Sequence, residues 1–143
     1  MLSPEEFLAL GQQVLDSQPF SKLLGARLVA FVPGQVTLAL PLKPEYKQQN
    51  GFAHGGVLSY LADNALTFAG GSALGIEVLT AEYKVNYIRP ATGSELIARA
   101  SLTGNTRRQA VCRCEIYSVT EGAETLVAVA QGTIVGRATE SAG

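Results

Sequence analysis

The segment from Gly55 to about Ala73 constrains the fold more than any other part of the sequence. It contains no proline and a single charged residue, Asp63, and its apolar residues recur at steps of three and four. This spacing predicts a helix with a broad buried face. A helix of this kind must be covered by other elements on most of its sides. The residues of the predicted buried face are Val57, Leu58, Leu61, Ala62, Ala65, Leu66 and Ala69.

Alternating apolar and polar residues predict six strands that provide this cover. Two form a hairpin before the helix, and four follow it, joined by short turns that favour an antiparallel meander. The sequence therefore predicts an α+β fold, in which a six-stranded antiparallel sheet wraps around one long central helix. The predicted strands are Arg27–Val32, Gln35–Leu40, Leu79–Ile88, Glu95–Thr103, Gln109–Val119 and Thr125–Val135.

The alternation is clearest in the third strand. Because successive side chains of a strand point to opposite faces, one set should be buried against the helix and the other should be polar and exposed. We expect Leu79, Ala81, Tyr83, Val85 and Tyr87 on the buried face, and Thr80, Glu82, Lys84 and Asn86 on the polar face.

Residues 1–19 are predicted to form a short leading helix that packs on the domain. Ser3 stands at the N-cap position and Pro4 at the first helical position, and the next two residues are acidic. Gln18 and Pro19 end this helix, and a Leu-Leu-Gly turn leads into the first strand. A chain of 143 residues is predicted to be one domain, 1–143, with 137–143 as a frayed tail.

Composition and missing motifs argue against several functions. The net charge of −1 gives no bulk attraction to nucleic acid or to an anionic membrane. The acidic N-terminal segment and the absence of a long apolar run predict a cytoplasmic protein without a signal peptide or membrane span. Cys112 and Cys114 are expected to be buried, reduced thiols, and no metal site is predicted. No serine-hydrolase elbow, phosphate-binding loop or dinucleotide fingerprint is present.

The strongest candidate site lies where His54, Gly55 and Gly56 begin the predicted central helix. The first N–H groups of a helix lack intrahelical acceptors, and the helix dipole favours negative charge there. The two glycines leave the backbone bare, so a ligand oxygen can approach it closely. Such a helix end can polarise a carbonyl oxygen.

Asp63 is the second candidate, because it stands in the middle of a stripe of small and polar residues. Gly55 and Asp63 are eight residues apart, which is about 12 Å along a helix axis. One helix therefore cannot bring both residues to the same point. Two helices packed antiparallel across a two-fold axis would bring Asp63 of each near Gly55 of the other, so if the two residues share a site, we expect a homodimer with two equivalent sites. The stripe consists of Gly56, Ser59, Tyr60, Asp63, Thr67 and Gly70.

Three segments of the chain resemble the hotdog-fold acyl-CoA thioesterases of the PaaI-like type: HGGVLSYLADNAL, TAEYKVNYIRPATGSEL and LVAVAQGTIV. The similarity covers roughly Phe20 to Arg137. It implies a hotdog fold, a homodimer that pairs into a dimer of dimers, that is, a homotetramer, and hydrolysis of acyl-CoA without a cofactor.

The resemblance also implies roles for individual residues. The Gly55 N–H would polarise the thioester carbonyl and His54 would shape the turn, while Asp63 of the partner subunit would act as nucleophile or general base. Thr80 would position the attacking water or the carboxylate. Related sequences often place an asparagine six residues before the histidine; here that position is Gln48, and Asn50 is four residues before it. Both Gln48 and Asn50 are therefore candidates.

Further residues are candidates for substrate binding. Arginine and lysine make charge-assisted contacts to phosphate, so basic side chains near turns are candidates for the coenzyme A phosphates, although such residues are commonly just solvated. Gly56 would leave room for the substrate, and Tyr60 would either line an acyl pocket or serve in packing. The basic candidates are Lys84, Arg89, Arg107 and Arg108.

Three functions fit these residues. The first is an acyl-CoA thioesterase with Asp63 and the Gly55 amide at its centre. The second is a hotdog hydratase or dehydratase of enoyl thioesters, in which His54 and Asp63 act as acid and base. The third is a non-catalytic acyl-CoA-binding module, which binds thioesters without turnover.

Overall fold

A computed structural model describes residues 1–137, which form helices and one β-sheet. Its helices are α1 (Pro4–Asp16), α2 (Pro19–Leu24) and α3 (Gly55–Leu74), with a short 3-10 helix at Pro44–Tyr46. Its strands are β1 (Arg27–Val32), β2 (Gln35–Pro41), β3 (Val78–Tyr87), β4 (Glu95–Asn105), β5 (Gln109–Thr120) and β6 (Ala123–Gly136).

The six strands form one antiparallel sheet in the order β1-β2-β4-β5-β6-β3. Helix α3 packs against β2 to β6, and Leu61 and Leu66 of the helix are fully buried with Ile116 and Ile134 of the sheet. This confirms the predicted hotdog architecture. The order leaves β1 and β3 as the two edge strands, and β3 is the edge beside the Asp63 face of α3.

Gly70 sets how closely α3 approaches the sheet. A Cβ atom at this position would lie 2.7 Å from Cβ of Ile134, well inside van der Waals contact. One turn of the helix therefore rests directly on β6 through the bare glycine backbone. Gly71 is less confined, since a Cβ there would meet Cγ2 of Val78 at 3.4 Å.

Helix α2 occupies the segment where the sequence predicts a helix end followed by a turn. Proline is favoured at the first helical position, and Pro19 starts α2 there. Gly25 ends the helix in the left-handed region, with φ of 86°. The helix is held by Ser21, whose hydroxyl donates to Oε1 of Gln18 at 2.6 Å and accepts from the Tyr60 hydroxyl at 2.6 Å.

The predicted faces of β3 are wrong at the start of the strand, whereas Tyr87 at its end keeps the predicted face towards α3 but is exposed. The β3–β6 register shifts between Thr80 and Glu82, as at a β-bulge, so the alternation reverses there. Thr80 consequently faces α3, while Leu79 is 60% exposed. Tyr83 and Val85 are half-buried as expected, but Ala81 and Tyr87 are exposed.

Other predictions about the scaffold can be compared with the structure directly. Ser3 caps α1, since its Oγ accepts from the N–H of Glu6 at 3.1 Å. Cys112 and Cys114 are free and buried, and burial raises the pKa of these thiols to about 11 and about 12. Within residues 1–137, no helix is long and apolar enough to cross a bilayer.

The expectation of a single domain over 1–143 stays a prediction. The expected frayed tail lies outside the described residues except for Arg137, whose N–H donates to the Glu77 carbonyl at 2.7 Å.

Replacing Gly70 with alanine should destabilise the protein. The added methyl would overlap Ile134 and push α3 off β6, and overpacking of this kind costs about 1–3 kcal/mol. Gly71→Ala is the matched control, because its methyl fits and removing a helical glycine gains roughly 0.5–1 kcal/mol. Urea unfolding measures both, and equal stability of the two variants would contradict the close approach.

Candidate active site

His54 caps the N-terminus of α3 with its own ring. Its backbone is extended, with φ of −62° and ψ of 135°, and Nδ1 accepts from the N–H of Gly56 at 2.8 Å. The His54 carbonyl accepts from the N–H of Val57 at 2.9 Å. A Cβ at position 56 would lie 2.9 Å from Nδ1 of His54. The His54 ring can therefore take this position only because residue 56 is a glycine.

The cap formed by His54 provides no acceptor for the Gly55 N–H. Its neighbours on both sides, the N–H groups of His54 and Gly56, have acceptors in Tyr46 and in the His54 ring. Among the residues that the structure describes, the Gly55 N–H has none. The unpaired donor stands at the positive end of a 20-residue helix, where a negatively charged oxygen is favoured.

A cleft of about 380 Å³ opens beside Gly55. Gln48 lines it and is half-buried, whereas Asn50 is exposed and is not among the lining residues. Oε1 of Gln48 accepts from the N–H of Asn50, which leaves Nε2 as the donor end of this side chain. The lining residues are Gln48, Phe52, Ala53, Gly55, Leu58, Tyr87, Ile88, Arg89, Pro90 and Ala91.

Tyr87 is a residue of this cleft that the sequence analysis missed. Its hydroxyl donates to the Gly55 carbonyl at 2.9 Å, and its ring would lie 3.3 Å from a Cβ placed on Gly55. The strand pattern indicated a core residue, and only the β3 register brings this side chain over the start of α3.

Asp63 lies on the side of α3 that faces β3, away from the cleft. Its Oδ1 accepts from the Thr80 hydroxyl at 2.7 Å. The Thr67 hydroxyl donates to the Asp63 carbonyl at 2.8 Å and lies 3.1 Å from Oγ1 of Thr80. Asp63 is half-buried and forms no ion pair with the described residues. The structure thus brings Asp63 and Thr80 together, but within one chain it leaves Gly55 two helical turns away.

An apolar pocket of about 280 Å³ lies next to Thr67, between α1, α3 and the start of β3. No pattern in the sequence indicated this pocket. Three aromatic rings form its wall: the Phe31 ring lies 4.5 Å from Phe7 and 5.4 Å from Phe68, centroid to centroid. The lining residues are Phe7, Leu10, Gly11, Val14, Gln18, Phe31, Thr67, Phe68, Gly71, Ser72, Gly75, Ile76 and Val78.

Tyr60 points to α2 and lines none of these cavities. Besides its bond to Ser21, its hydroxyl accepts from Nδ2 of Asn64 at 3.2 Å, and its ring packs edge-on against Phe20 at 5.2 Å. Burial raises the pKa of this phenol. The geometry corresponds to packing between α2 and α3, and not to the lining of an acyl pocket, which was the other role predicted for Tyr60.

The basic candidates are dispersed. Arg89 lines the Gly55 cleft, and its guanidinium donates to the Leu126 carbonyl. Lys84 lies with Arg113 in a separate cleft of about 450 Å³.

Arg107 and Arg108 lie in the β4–β5 turn, at the far end of the sheet from Gly55. Residue pairing connects Tyr87 to Ala128 and Ala128 to Ile116, which is seven residues along β5 from Gln109. At the rise of a strand, this separation is roughly 23 Å. In the described part of the chain, no cluster of His, Cys, Asp or Glu could hold a metal ion.

Comparison with known proteins gives consistent results. A model of the thioesterase superfamily matches residues 50–125. A provisionally named esterase of Archaeoglobus fulgidus is 30% identical over 114 residues, which are 79% of this chain and 71% of the relative. A solved thioesterase family protein of Silicibacter pomeroyi is 35% identical, with a TM-score of 0.82 over 87% of this chain and 96% of that one. A solved mutant of the phenylacetic acid degradation protein PaaI of Thermus thermophilus is 31% identical to this chain. Its TM-score is 0.74, over 84% of this chain and 100% of that one.

Proposed function

The chain belongs to the thioesterase superfamily as a PaaI-like thioester hydrolase, and on that premise we propose that it hydrolyses acyl-CoA to a free acid and coenzyme A. One observation carries this proposal: the unpaired Gly55 N–H at the start of α3 lies at a cleft of about 380 Å³, so that the carbonyl oxygen of a thioester can reach it. The site needs no cofactor, because the backbone supplies the electrophilic group and Asp63 supplies the base.

The Gly55 N–H stabilises the charge that develops during the reaction. Attack on the thioester carbon moves an electron pair onto the carbonyl oxygen, and a fixed donor at a helix N-terminus stabilises that oxyanion. Gln48 lies in the same cleft, and its Nε2 is a second donor for this oxygen. Asn50 instead supports the Gln48 side chain through its backbone N–H.

Asp63 activates the nucleophile. As a general base it takes a proton from the attacking water; the C–S bond then breaks, and the coenzyme A thiolate receives the proton. As a nucleophile its carboxylate would attack the same carbon; the C–S bond breaks, coenzyme A leaves as the thiolate, and water then cleaves the resulting anhydride to the free acid, which regenerates the Asp63 carboxylate and supplies the proton for the thiolate. In both cases the Thr80 hydroxyl on Oδ1 orients the carboxylate and leaves Oδ2 for the chemistry.

The active site is shared by two copies of the chain. The distance of about 12 Å along α3 separates Asp63 from Gly55 of the same copy, so a two-fold arrangement with antiparallel α3 helices is required to unite them. The side that would be covered carries the β3 edge and exposed Ile76 and Leu79. Unpaired strand edges and exposed apolar side chains are typical of surfaces that a partner covers. Two such dimers then form the tetramer.

The substrate extends to both sides of the thioester. Arg89 lies in the Gly55 cleft and is the best placed cation for a coenzyme A phosphate. Lys84, Arg107 and Arg108 lie away from the Gly55 cleft of their own chain, so a contact between them and the substrate would have to come from the second copy. The acyl group enters the apolar pocket beside Thr67, whose hydroxyl group connects it to Thr80 and Asp63.

Asp63→Asn should abolish most of the turnover of acyl-CoA. Loss of a general base costs about 10²–10⁴-fold in rate. Release of free thiol from aryl-, short- and medium-chain acyl-CoAs measures it. Asp16→Asn, the same change at the exposed end of α1, is the matched control and should retain full activity.

Two results would contradict the proposal. Turnover that is indifferent to Asp63→Asn would remove this residue from the mechanism. A wild-type protein that binds acyl-CoA but releases no thiol would be a binding module instead.

Mixing two inactive variants should restore activity if the site is shared. Gly55→Pro deletes the N–H at a position where helices accept proline, and His54 is already extended as a residue before proline requires. Gly55→Ala keeps the N–H and controls for the added Cβ atom, which would lie 3.3 Å from the Tyr87 ring. Random exchange of Gly55→Pro with Asp63→Asn subunits gives mixed dimers with one intact site, so about a quarter of wild-type activity should return. A site within one chain would give no recovery.

Filling the apolar pocket should change acyl preference. Gly71→Leu places a side chain among Phe31, Phe68 and Val78, with room at Cβ. We expect kcat/KM for medium-chain and aryl substrates to fall at least tenfold, since their acyl groups lose this space, while acetyl-CoA changes little. Equal losses for all acyl groups would show that the pocket does not hold them.

A further inference from the structure

We infer that Tyr87 is a positioning residue that fixes the direction of the Gly55 N–H, an inference that rests on the proposed function. Tyr87 reaches Gly55 from β3, an element separate from the helix that carries the donor. Its hydroxyl group donates to the Gly55 carbonyl, which is a backbone atom of the helix start.

The Gly55 N–H lies in the plane of the peptide between His54 and Gly55, and the next peptide restrains that plane through the Gly55 Cα atom that the two planes share. In the first, between His54 and Gly55, the carbonyl accepts from the Val57 N–H at 2.9 Å. In the second, between Gly55 and Gly56, the N–H donates to Nδ1 of His54 at 2.8 Å and the carbonyl accepts from Tyr87 at 2.9 Å. The two peptides have two carbonyl groups and two N–H groups between them. Three of these four groups form hydrogen bonds within the chain, and the fourth is the Gly55 N–H.

This support is needed because two consecutive glycines begin the helix. Glycine has more backbone freedom than any other residue, and the first turn of a helix has few hydrogen bonds to restrain it. His54 is anchored before the turn, since its N–H donates to the Tyr46 carbonyl at 2.8 Å, but the two groups that bond the Gly55 peptides from this side, the His54 ring and the Val57 N–H, belong to the turn itself. Tyr87 is the contact from outside: it is paired with Ala128 in the β3–β6 ladder, so it ties the Gly55 carbonyl to the sheet.

The Tyr87 ring restrains the Gly55 peptide as well as the hydroxyl does. It covers Gly55 so closely that a Cβ there would lie 3.3 Å from Cζ and Oη. The peptide therefore has less room to rotate into the cleft. An oxyanion donor is effective when it is already oriented before the reaction, since no energy is then spent on turning it.

Tyr87→Phe removes the hydroxyl and keeps the ring. We expect kcat to fall about tenfold with KM changed less than twofold, because a misdirected donor affects the transition state more than substrate binding. Tyr83→Phe is the matched control. It lies on the same strand, and its hydroxyl is bonded to Ser59 of the same helix at 2.6 Å, so it loses a comparable strand-to-helix bond without touching Gly55.

A double-mutant cycle with Gly55→Pro separates positioning from general loosening. If Tyr87 acts through the Gly55 N–H, adding Tyr87→Phe to Gly55→Pro should lower kcat no further than Gly55→Pro alone. Thermal unfolding of all variants is recorded alongside kcat, and Tyr87→Phe and Tyr83→Phe should lose similar stability.

The outcomes distinguish the two proposals. Unchanged kcat in Tyr87→Phe, equal losses in Tyr87→Phe and Tyr83→Phe, or additive losses with Gly55→Pro would each overturn the role of Tyr87 while leaving the hydrolase intact. Absence of thiol release by the wild-type protein would overturn the proposed function and this inference with it.

Discussion

The structure depends on the burial of α3 against the sheet. This helix is apolar over most of its circumference, and it touches β6 so closely that Gly70 has no space for a methyl group beside Ile134. Close packing of this kind removes apolar surface from water and at the same time fixes the helix axis. Both ends of the candidate site, Gly55 at the helix start and Asp63 in its middle, therefore have positions set by the core.

The polar residues of α3 follow from the same packing. Ser59, Asp63 and Thr67 interrupt the apolar surface on the side of β3, and two β3 residues match them: Tyr83 bonds to Ser59, and Thr80 bonds to both Asp63 and Thr67. A polar group buried without a partner costs roughly 1–3 kcal/mol, so this matching allows a carboxylate to stay inside the scaffold. In the described region no buried side-chain nitrogen or oxygen lacks a partner. The strand that carries these hydroxyl groups is also a sheet edge, open to a second copy.

Much of the fold was predictable because its signals are local and repeated. Helix α1, helix α3 and all six strands begin and end within a few residues of the predicted positions. The errors arose where one signal has two meanings: Pro19 and Gly25 mark a turn or the limits of a helix, and the sequence does not distinguish them. At Ala81 a bulge reversed the alternation, and this turned Thr80 from the expected solvent face to Asp63. A bulge depends on pairing with β6, which the β3 sequence does not contain.

The sequence by itself determined the central helix, the antiparallel sheet, the glycine-rich helix start and the isolated acid, because each is written in spacing and residue type. It also determined that Gly55 and Asp63 of one chain lie too far apart to act together, since helix rise is constant. Only the tertiary structure decided that Thr80 bonds to the Asp63 carboxylate, which was one of the two roles that the resemblance implied, that Gln48 and not Asn50 lines the cleft, and that Tyr87 covers Gly55. These contacts join residues from different elements, and their distances depend on strand register and packing, which no local pattern encodes.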